Sequence, residues 1–222
     1  MKPLPRACRG VRRGEHLTNR LNGAFTLIEL IVVVGVILIL TGLVLSTAGY
    51  ARKKGARARA ETEIAAMAAA IESYKADNGV YPRGPTTAIP IGTVTIPANV
   101  TDSLNARQKG DPTNTADPTY GETSLYLYTL LSGDSTGTRS PTGKSYMVFK
   151  PNMLYPPDQS QSVQYIRDPF GYSYGYSTSQ AANPGDMTKG YNATFDLWST
   201  AGLTAAPGGV SDTITPQWIK NW

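Results

Sequence analysis

From Phe25 to Leu45 the chain runs for 21 residues with a single ionisable side chain, Glu29. A helix rising about 1.5 Å per residue would carry this run across ~30 Å, the thickness of a bilayer's hydrocarbon core. A carboxylate within such a run is costly in lipid, about 2.5–3.5 kcal/mol at mid-membrane on insertion scales and less near the interface. Either Glu29 lies at headgroup level or something supplies a counter-charge. An anchored protein is expected, with its remaining bulk outside the lipid.

The first 24 residues hold Lys2, Arg6, Arg9, Arg12, Arg13 and Arg20 against one acid, Glu15. Of the chain's 21 basic and 16 acidic residues, those beyond this leader balance, so the net charge of +5 belongs to the leader alone. The basic pI is thus no argument for nucleic-acid binding, and none is expected. The leader's charge holds that end in the cytoplasm. The apolar run is longer than a secretory h-region, and no A-x-A-like cleavage site comes after it. The only cysteine, Cys8, and the only histidine, His16, also lie in the leader. If the leader is removed, disulfides, Cys/His zinc sites and His-based catalytic triads go with it, and an enzyme is not expected.

No proline occurs between Pro5 and Pro82. One continuous helix from about Phe25 to Asn78, roughly 80 Å long, is expected. Gly35, Gly42 and Gly49 recur every seven residues. They fall near one face, where small residues allow close helix approach in lipid, although glycine is common in membrane helices generally. The character changes at Arg52-Lys53-Lys54, with Arg57 and Arg59 beyond. This run suits anionic headgroups, acidic neighbours or simply a solvated face. From Ala60 the pattern turns amphipathic: Ala60, Ile64, Met67, Ile71 and Tyr74 form one apolar stripe that needs a partner. Five alanines between Ala65 and Ala70 favour helix. Asp77-Asn78-Gly79 ends it, with Pro82 just beyond.

Residues 83–122 are rich in Thr, Pro, Asn, Asp and Gly and read as a long loop with a helical turn around Ser103–Lys109. The apolar stretch Ser124–Leu131 suits a short helix better than a strand. Gly137 to Ser145 mimics a phosphate-binding loop, but its spacing is one residue too long and Pro141 interrupts it. Strands are expected at Ser145–Lys150, Val163–Ile166, Tyr172–Tyr176 and Thr194–Ser199, each bounded by turn residues. Short turns between them, such as Asp168-Pro169-Phe170-Gly171, imply an antiparallel sheet covering the helix stripe. Tyr165, Tyr172, Tyr174 and Tyr176 are expected to fill that sheet rather than present a sugar-binding surface. The fold class is α+β: a long N-terminal helix, transmembrane in its first half, packed on a small C-terminal antiparallel sheet.

The basic leader, a small residue, then Phe25-Thr26-Leu27-Ile28-Glu29-Leu30 and a long Val/Ile/Leu helix resembles the signal of type IV prepilins and type II secretion pseudopilins. In that family a membrane-embedded prepilin peptidase cuts before the Phe and methylates the new N-terminus. The Glu, fifth in the processed chain, pairs with the N-terminal amine of a neighbouring subunit in a filament. The resemblance implies a cut between Ala24 and Phe25 and an assembly role for Glu29. The family has Gly immediately before the Phe; here Gly23 stands one place back, and a cut after Gly23 would make Glu29 sixth. Asp77-Asn78-Gly79-Val80-Tyr81-Pro82, Asp168-Pro169-Phe170-Gly171, Phe195-Asp196-Leu197-Trp198-Ser199 and the closing Pro207-Gly208-Gly209, Asp212, Ile214 and Asn221-Trp222 are similar to segments of the major secretion pseudopilin. The likeness covers about 25–82 and 163–222.

In that branch the last loop holds a structural calcium. Here Ala201-Gly202-Leu203-Thr204 replaces the acid-bearing segment, leaving Asp212 as the obvious carboxylate ligand with carbonyls of Leu197 and Ser199. The alternative is a loop held by packing of Leu203, Ile214, Trp218 and Trp222. The domains implied are a cleaved leader (1–24), a transmembrane and filament-core helix (25–45), an amphipathic periplasmic helix (46–79) and a globular domain (80–222). Such a chain would be a single-pass inner-membrane protein of pilin-like fold. It would self-associate in a periplasmic pseudopilus with minor pseudopilins, the prepilin peptidase, the inner-membrane secretion platform and membrane lipid as partners. Two other readings stay open: a type IV pilin of a surface filament, and an anchored enzyme or glycan-binding protein that uses the signal only for delivery.

Overall fold

The computed structural model describes residues 25–108, 110–113, 115–204 and 215–222. The chain divides into two units at Ala48/Gly49. The boundary falls within one helix, α1 (Leu27–Asn78), the single element expected from the missing prolines.

In the first unit α1 buries none of its large apolar side chains among the described residues. Phe25 is 82% exposed and Leu45 70%. The run is long and apolar enough to cross a membrane, and an apolar helix with no internal partner needs lipid or other helices around it.

In the second unit α1 behaves oppositely. Ala60, Ile64, Met67 and Ile71 are buried as the stripe requires, and Tyr74 packs half-buried beside them. The helix stops where expected: Gly79 takes a positive φ of 77° and its N–H donates to the Lys75 carbonyl, 2.8 Å. Val80-Tyr81-Pro82 then turns back onto the core. The Tyr81 ring packs on Phe195, centroids 5.3 Å apart, and the Pro82 carbonyl accepts the Tyr176 hydroxyl at 2.6 Å.

Residues 83–122 are not a bare loop. They contain a hairpin of β1 (Ile89–Ile91) and β2 (Val94–Ile96), whose Ile91 and Ile96 enter the core. The helical turn is α2 (Val100–Ser103), ahead of the place expected, and Ala106–Gln108 is a plain turn. Helix α3 runs Thr119–Ser132, beginning inside the supposed loop. The Asp117 carboxylate accepts both the N–H and the hydroxyl of Thr119 at its start, and Gly133 closes it with φ 76°. That glycine is required, since a Cβ there would lie 2.6 Å from the Gly143 carbonyl oxygen. The whole helix is wrapped by α2, β2 and the strands β4 (Tyr165–Ile166) and β5 (Gly175–Ser177), which explains an apolar stretch without helical periodicity.

The strand expected at Ser145–Lys150 does not form. The Tyr146 and Met147 N–H groups both donate to the Leu131 carbonyl at the end of α3, 2.7 and 3.0 Å, so this segment caps a helix instead of joining a ladder. The sheet comes in three antiparallel pieces: β1–β2, β3 (Leu154–Tyr155) with β4, and β5 with β6 (Asp196–Ser199) and β7 (Ile219–Lys220). The strands expected at Val163–Ile166, Tyr172–Tyr176 and Thr194–Ser199 survive as the shorter β4, β5 and β6. Ser173 makes only an isolated bridge to Arg167.

β6 separates two apolar clusters. Leu197 joins the α1 stripe with Tyr174, Tyr176 and Ile219. The next residue, Trp198, points the other way into a cluster of Leu104, Ala106, Tyr120 and Trp218, the period-two alternation of a strand covered on both faces. Gly175, paired with Trp198, lets the indole lie flat on the backbone: a Cβ there would come within 2.3 Å of the ring. The middle region therefore covers the outer face of the sheet. Tyr120 accepts the Trp198 indole N–H at 3.1 Å, and Arg107 stacks on Tyr191 while donating to the Gly190 carbonyl at 2.6 Å.

Candidate functional site

Glu29 lies in the first turn of α1, and its geometry is set by Thr26. The Glu29 carboxylate accepts the Thr26 N–H (2.9 Å) and the Thr26 hydroxyl (2.7 Å), while the Thr26 hydroxyl oxygen accepts the Glu29 N–H at 3.3 Å. This is a reciprocal capping box. It satisfies N–H groups that a helix start leaves open and puts a negative charge at the positive end of the helix dipole. Part of the offset that Glu29 needs is thus built into the chain. Thr-x-x-Glu before an apolar run is the sequence signal for it, and weighing only the cost of the charge misses Thr26. Both carboxylate bonds use Oε2; among the described residues no donor engages Oε1. Phe25, at the tip, is open to its surroundings. Gly23 and Ala24, the two candidate cleavage positions, lie outside the described residues, as does the rest of the leader.

A second glutamate on the same helix has the contrasting setting. Glu63, its side chain 11% exposed, accepts the Tyr174 hydroxyl at 2.7 Å on one oxygen and the Arg59 guanidinium at 2.6 Å on the other. Burial, with the Glu63 charge beside it, pushes the Tyr174 phenol well up. This is a clamp between helix and sheet. Tyr174 and Tyr176 are fully buried, as expected of sheet-filling rings. Tyr165 stacks on Tyr155 with centroids 4.6 Å apart.

The loop that mimics a phosphate-binding sequence is closed by its own carboxylate. Asp134 accepts the N–H groups of Thr136, Thr138 and Arg139 at 3.1, 3.3 and 2.6 Å, and the Tyr128 hydroxyl at 3.0 Å. Burial raises the Asp134 carboxyl, but the bonds from Tyr128, Thr136 and Arg139 outweigh it and hold the group below its ordinary value. The Tyr128 phenol is pushed up to about 12, by burial first and by Asp134 next. Amides that a phosphate would need are therefore already committed to an internal anion.

At the C-terminal end, Asp168 organises the expected turn. It accepts the Phe170 and Tyr172 N–H groups at 3.0 and 2.8 Å and the Ser199 hydroxyl at 2.5 Å. Burial raises its carboxyl above the usual range despite these bonds. Of the possible calcium ligands, Asp212 lies outside the described residues. The Leu197 carbonyl accepts the Asn221 N–H at 3.1 Å, and Ser199 sits in the β6–β7 ladder with its hydroxyl on Asp168. Among the described residues no three carboxylates gather there. Calcium requires six to eight oxygens, and Asp212, the carboxylate expected among them, is outside the described residues. At this end Trp218 stacks on Trp198 with centroids 6.1 Å apart, Trp222 meets Trp198 edge-on, and Leu203 is half-buried. Ile214 lies outside the described residues.

The basic run after the apolar stretch acquires a wall. Tyr50, Lys53, Lys54 and Arg57 face Phe170 and Tyr172 across a groove of about 710 Å³. Comparison with protein families, with curated proteins and with solved structures found no match to this chain.

Proposed function

We propose that this chain is a non-enzymatic filament subunit, a pilin-like protein nearest in kind to the major pseudopilin of type II secretion. Its leader stays in the cytoplasm, the first half of α1 crosses the inner membrane, and the Gly49–Trp222 unit lies in the periplasm. The observation that carries the reading is the composition of α1. One uninterrupted helix joins a half whose large apolar side chains are exposed among the described residues to a half whose stripe is buried under a small sheet, and it begins at Phe-Thr-Leu-Ile-Glu. A subunit that bundles through its N-terminal helices needs both halves.

In the proposed assembly, cleavage between Ala24 and Phe25 frees an amine. Glu29, preset by Thr26 with Oε1 open to a donor, receives that amine from a neighbouring subunit, and the apolar helices close around the pair. A buried ion pair in lipid surroundings fixes register more than it adds stability. Minor pseudopilins, the peptidase and the inner-membrane platform would be the working partners.

The test is N-terminal mass spectrometry of the protein from cells with and without the prepilin peptidase. A peptidase-dependent N-terminus at methylated Phe25 is expected. An uncut chain, or a cut beyond Leu45, would overturn the filament reading. With processing established, Glu29→Ala is expected to abolish assembly while leaving the Gly49–Trp222 unit folded. Surface fibres lost on deletion with secretion intact would move the assignment to a type IV pilin.

A further inference from the structure

The groove beside the basic run is unlike the solvated helix face that its charges alone suggest. Lys53 and Lys54 are exposed and make no hydrogen bond or ion pair with any described residue. Arg57, the third cation, is held in place: its guanidinium donates to the Gln217 carbonyl at 2.8 Å and meets Glu61 at 3.3 Å. Among the described residues Glu61 is the one acid paired into this edge, so the groove keeps a net positive charge. Facing the cations stand half-buried Phe170 and Tyr172, and at the membrane-near end Tyr50, 71% exposed. Phe170 and Tyr172 are set by the Asp168 turn, so the aromatic wall is fixed by a buried carboxylate.

Two features identify the occupant. The helical lining residues begin five positions after Leu45, the last residue of the apolar run, and end within the following two turns. In a chain whose apolar run spans the bilayer, that is the zone of lipid headgroups. The lining chemistry is also that of the interface: amphipathic rings that settle at headgroup level, and ammonium groups attracted to anionic lipid by about 1 kcal/mol each.

We infer that the groove between Lys53, Lys54 and the Phe170–Tyr172 turn binds the headgroup of an anionic phospholipid of the membrane that α1 enters. The lysines take the phosphate, and the rings cover its glycerol and upper acyl carbons. This rests on the membrane reading of α1. It gives the subunit a second hold on the bilayer surface, beyond the apolar run.

The experiment uses the full chain in a neutral detergent, offered equal amounts of phosphatidylglycerol and phosphatidylcholine, with retained lipid counted by native mass spectrometry. Phosphatidylglycerol is expected to be retained preferentially. Lys53→Gln and Lys54→Gln should each lower that preference about fivefold. Arg52→Gln removes a neighbouring charge that does not line the groove, and should change it far less. The leader's charges are common to all these chains. Equal retention of the two lipids, or lysine variants that behave as the native chain, overturns the inference. So does an Arg52→Gln loss as large as that of Lys53→Gln, or displacement of the lipid by inorganic phosphate at equal concentration. Flotation of the full chain with phosphatidylcholine vesicles keeps the two readings apart. A chain that floats but shows no headgroup preference fails only the inference, whereas a chain that does not float removes the anchor itself.

Discussion

The two halves of α1 belong to one continuous helix and are put to opposite use. Before Ala48, leucine, isoleucine and valine cover the whole circumference and stay exposed; after Gly49, apolar residues narrow to one stripe and that stripe is buried. The glutamates repeat the contrast. Glu63 has both oxygens occupied within its own chain, by Arg59 and Tyr174, whereas among the described residues Glu29 has Thr26 alone, on one oxygen. A helix half whose side chains and charge are satisfied internally is a structural part. A half whose apolar side chains stay exposed is written for an environment that the described residues do not supply.

The comparison breaks most directly by cutting side chains of similar size from each half. Met67→Ala empties a fully buried position and should cost the Gly49–Trp222 unit about 2–5 kcal/mol. Leu38→Ala, at a position 66% exposed, should change its stability by less than about 0.5 kcal/mol. All three tryptophans, Trp198, Trp218 and Trp222, lie in the second unit, so tryptophan fluorescence through a urea titration reads that unit alone. Equal losses from the two substitutions would end the distinction.

How much of this is legible in the sequence depends on whether a local rule governs the residues. The long helix, its stripe and its stop at Asn78 come from proline absence, periodicity and Gly79, and the structure keeps them. The middle region is opaque because its job is set by distant partners. Leu104, Ala106 and Tyr120 look like scattered loop residues until Trp198, on a strand some eighty residues later, needs covering. Ser145–Lys150 has strand-like composition, but its backbone donors are claimed by the end of α3, which composition cannot reveal. At the N-terminal site, resemblance singles out Phe25 and Glu29 but not Thr26, whose capping role a local rule would have given. The basic run is visible in sequence, yet its aromatic wall comes from a turn more than a hundred residues away.

The Glu63 clamp gives a smaller and more discriminating test. Tyr174→Phe removes one donor and leaves the carboxylate to Arg59, which should cost about 1–3 kcal/mol. The pH dependence separates this from lost packing. The folded-state Tyr174 phenol is raised, by burial first and by the Glu63 charge next. Its stability contribution is therefore whole below pH ~10, the ordinary tyrosine value, and is lost as pH rises beyond it, because the unfolded chain ionises first. Tyr174→Phe should flatten the alkaline decline of stability by one proton relative to the native chain, while Glu29→Ala should leave that decline unaltered. A Phe variant with an unchanged alkaline slope would mean the hydroxyl is not held as described, and the two glutamates would then differ less than the geometry says.

The smallest effect concerns the turn after β6, where the sequence departs from the pseudopilin-like pattern. Ala201 adopts φ 54°, a left-handed conformation that its methyl group disfavours, immediately before Gly202 at φ 80°. The turn persists because its bonds over-determine it: the Ala201 N–H donates to the Ser199 hydroxyl at 3.0 Å, and the Leu203 N–H donates to the Thr200 carbonyl at 2.9 Å. Ser199 is itself fixed by Asp168, so the buried end of the sheet helps to hold the strain. Ala201→Gly relieves about 1 kcal/mol of local strain, partly offset by the greater freedom of glycine in the unfolded chain. The expected outcome is a second unit stabilised by a few tenths to about 1 kcal/mol in urea unfolding, equally with and without added calcium. A loss of stability would place the native contribution of the methyl group in packing against the aromatic turn. A gain seen only with calcium would show that this end of the molecule, like the first half of α1, is completed from outside the chain.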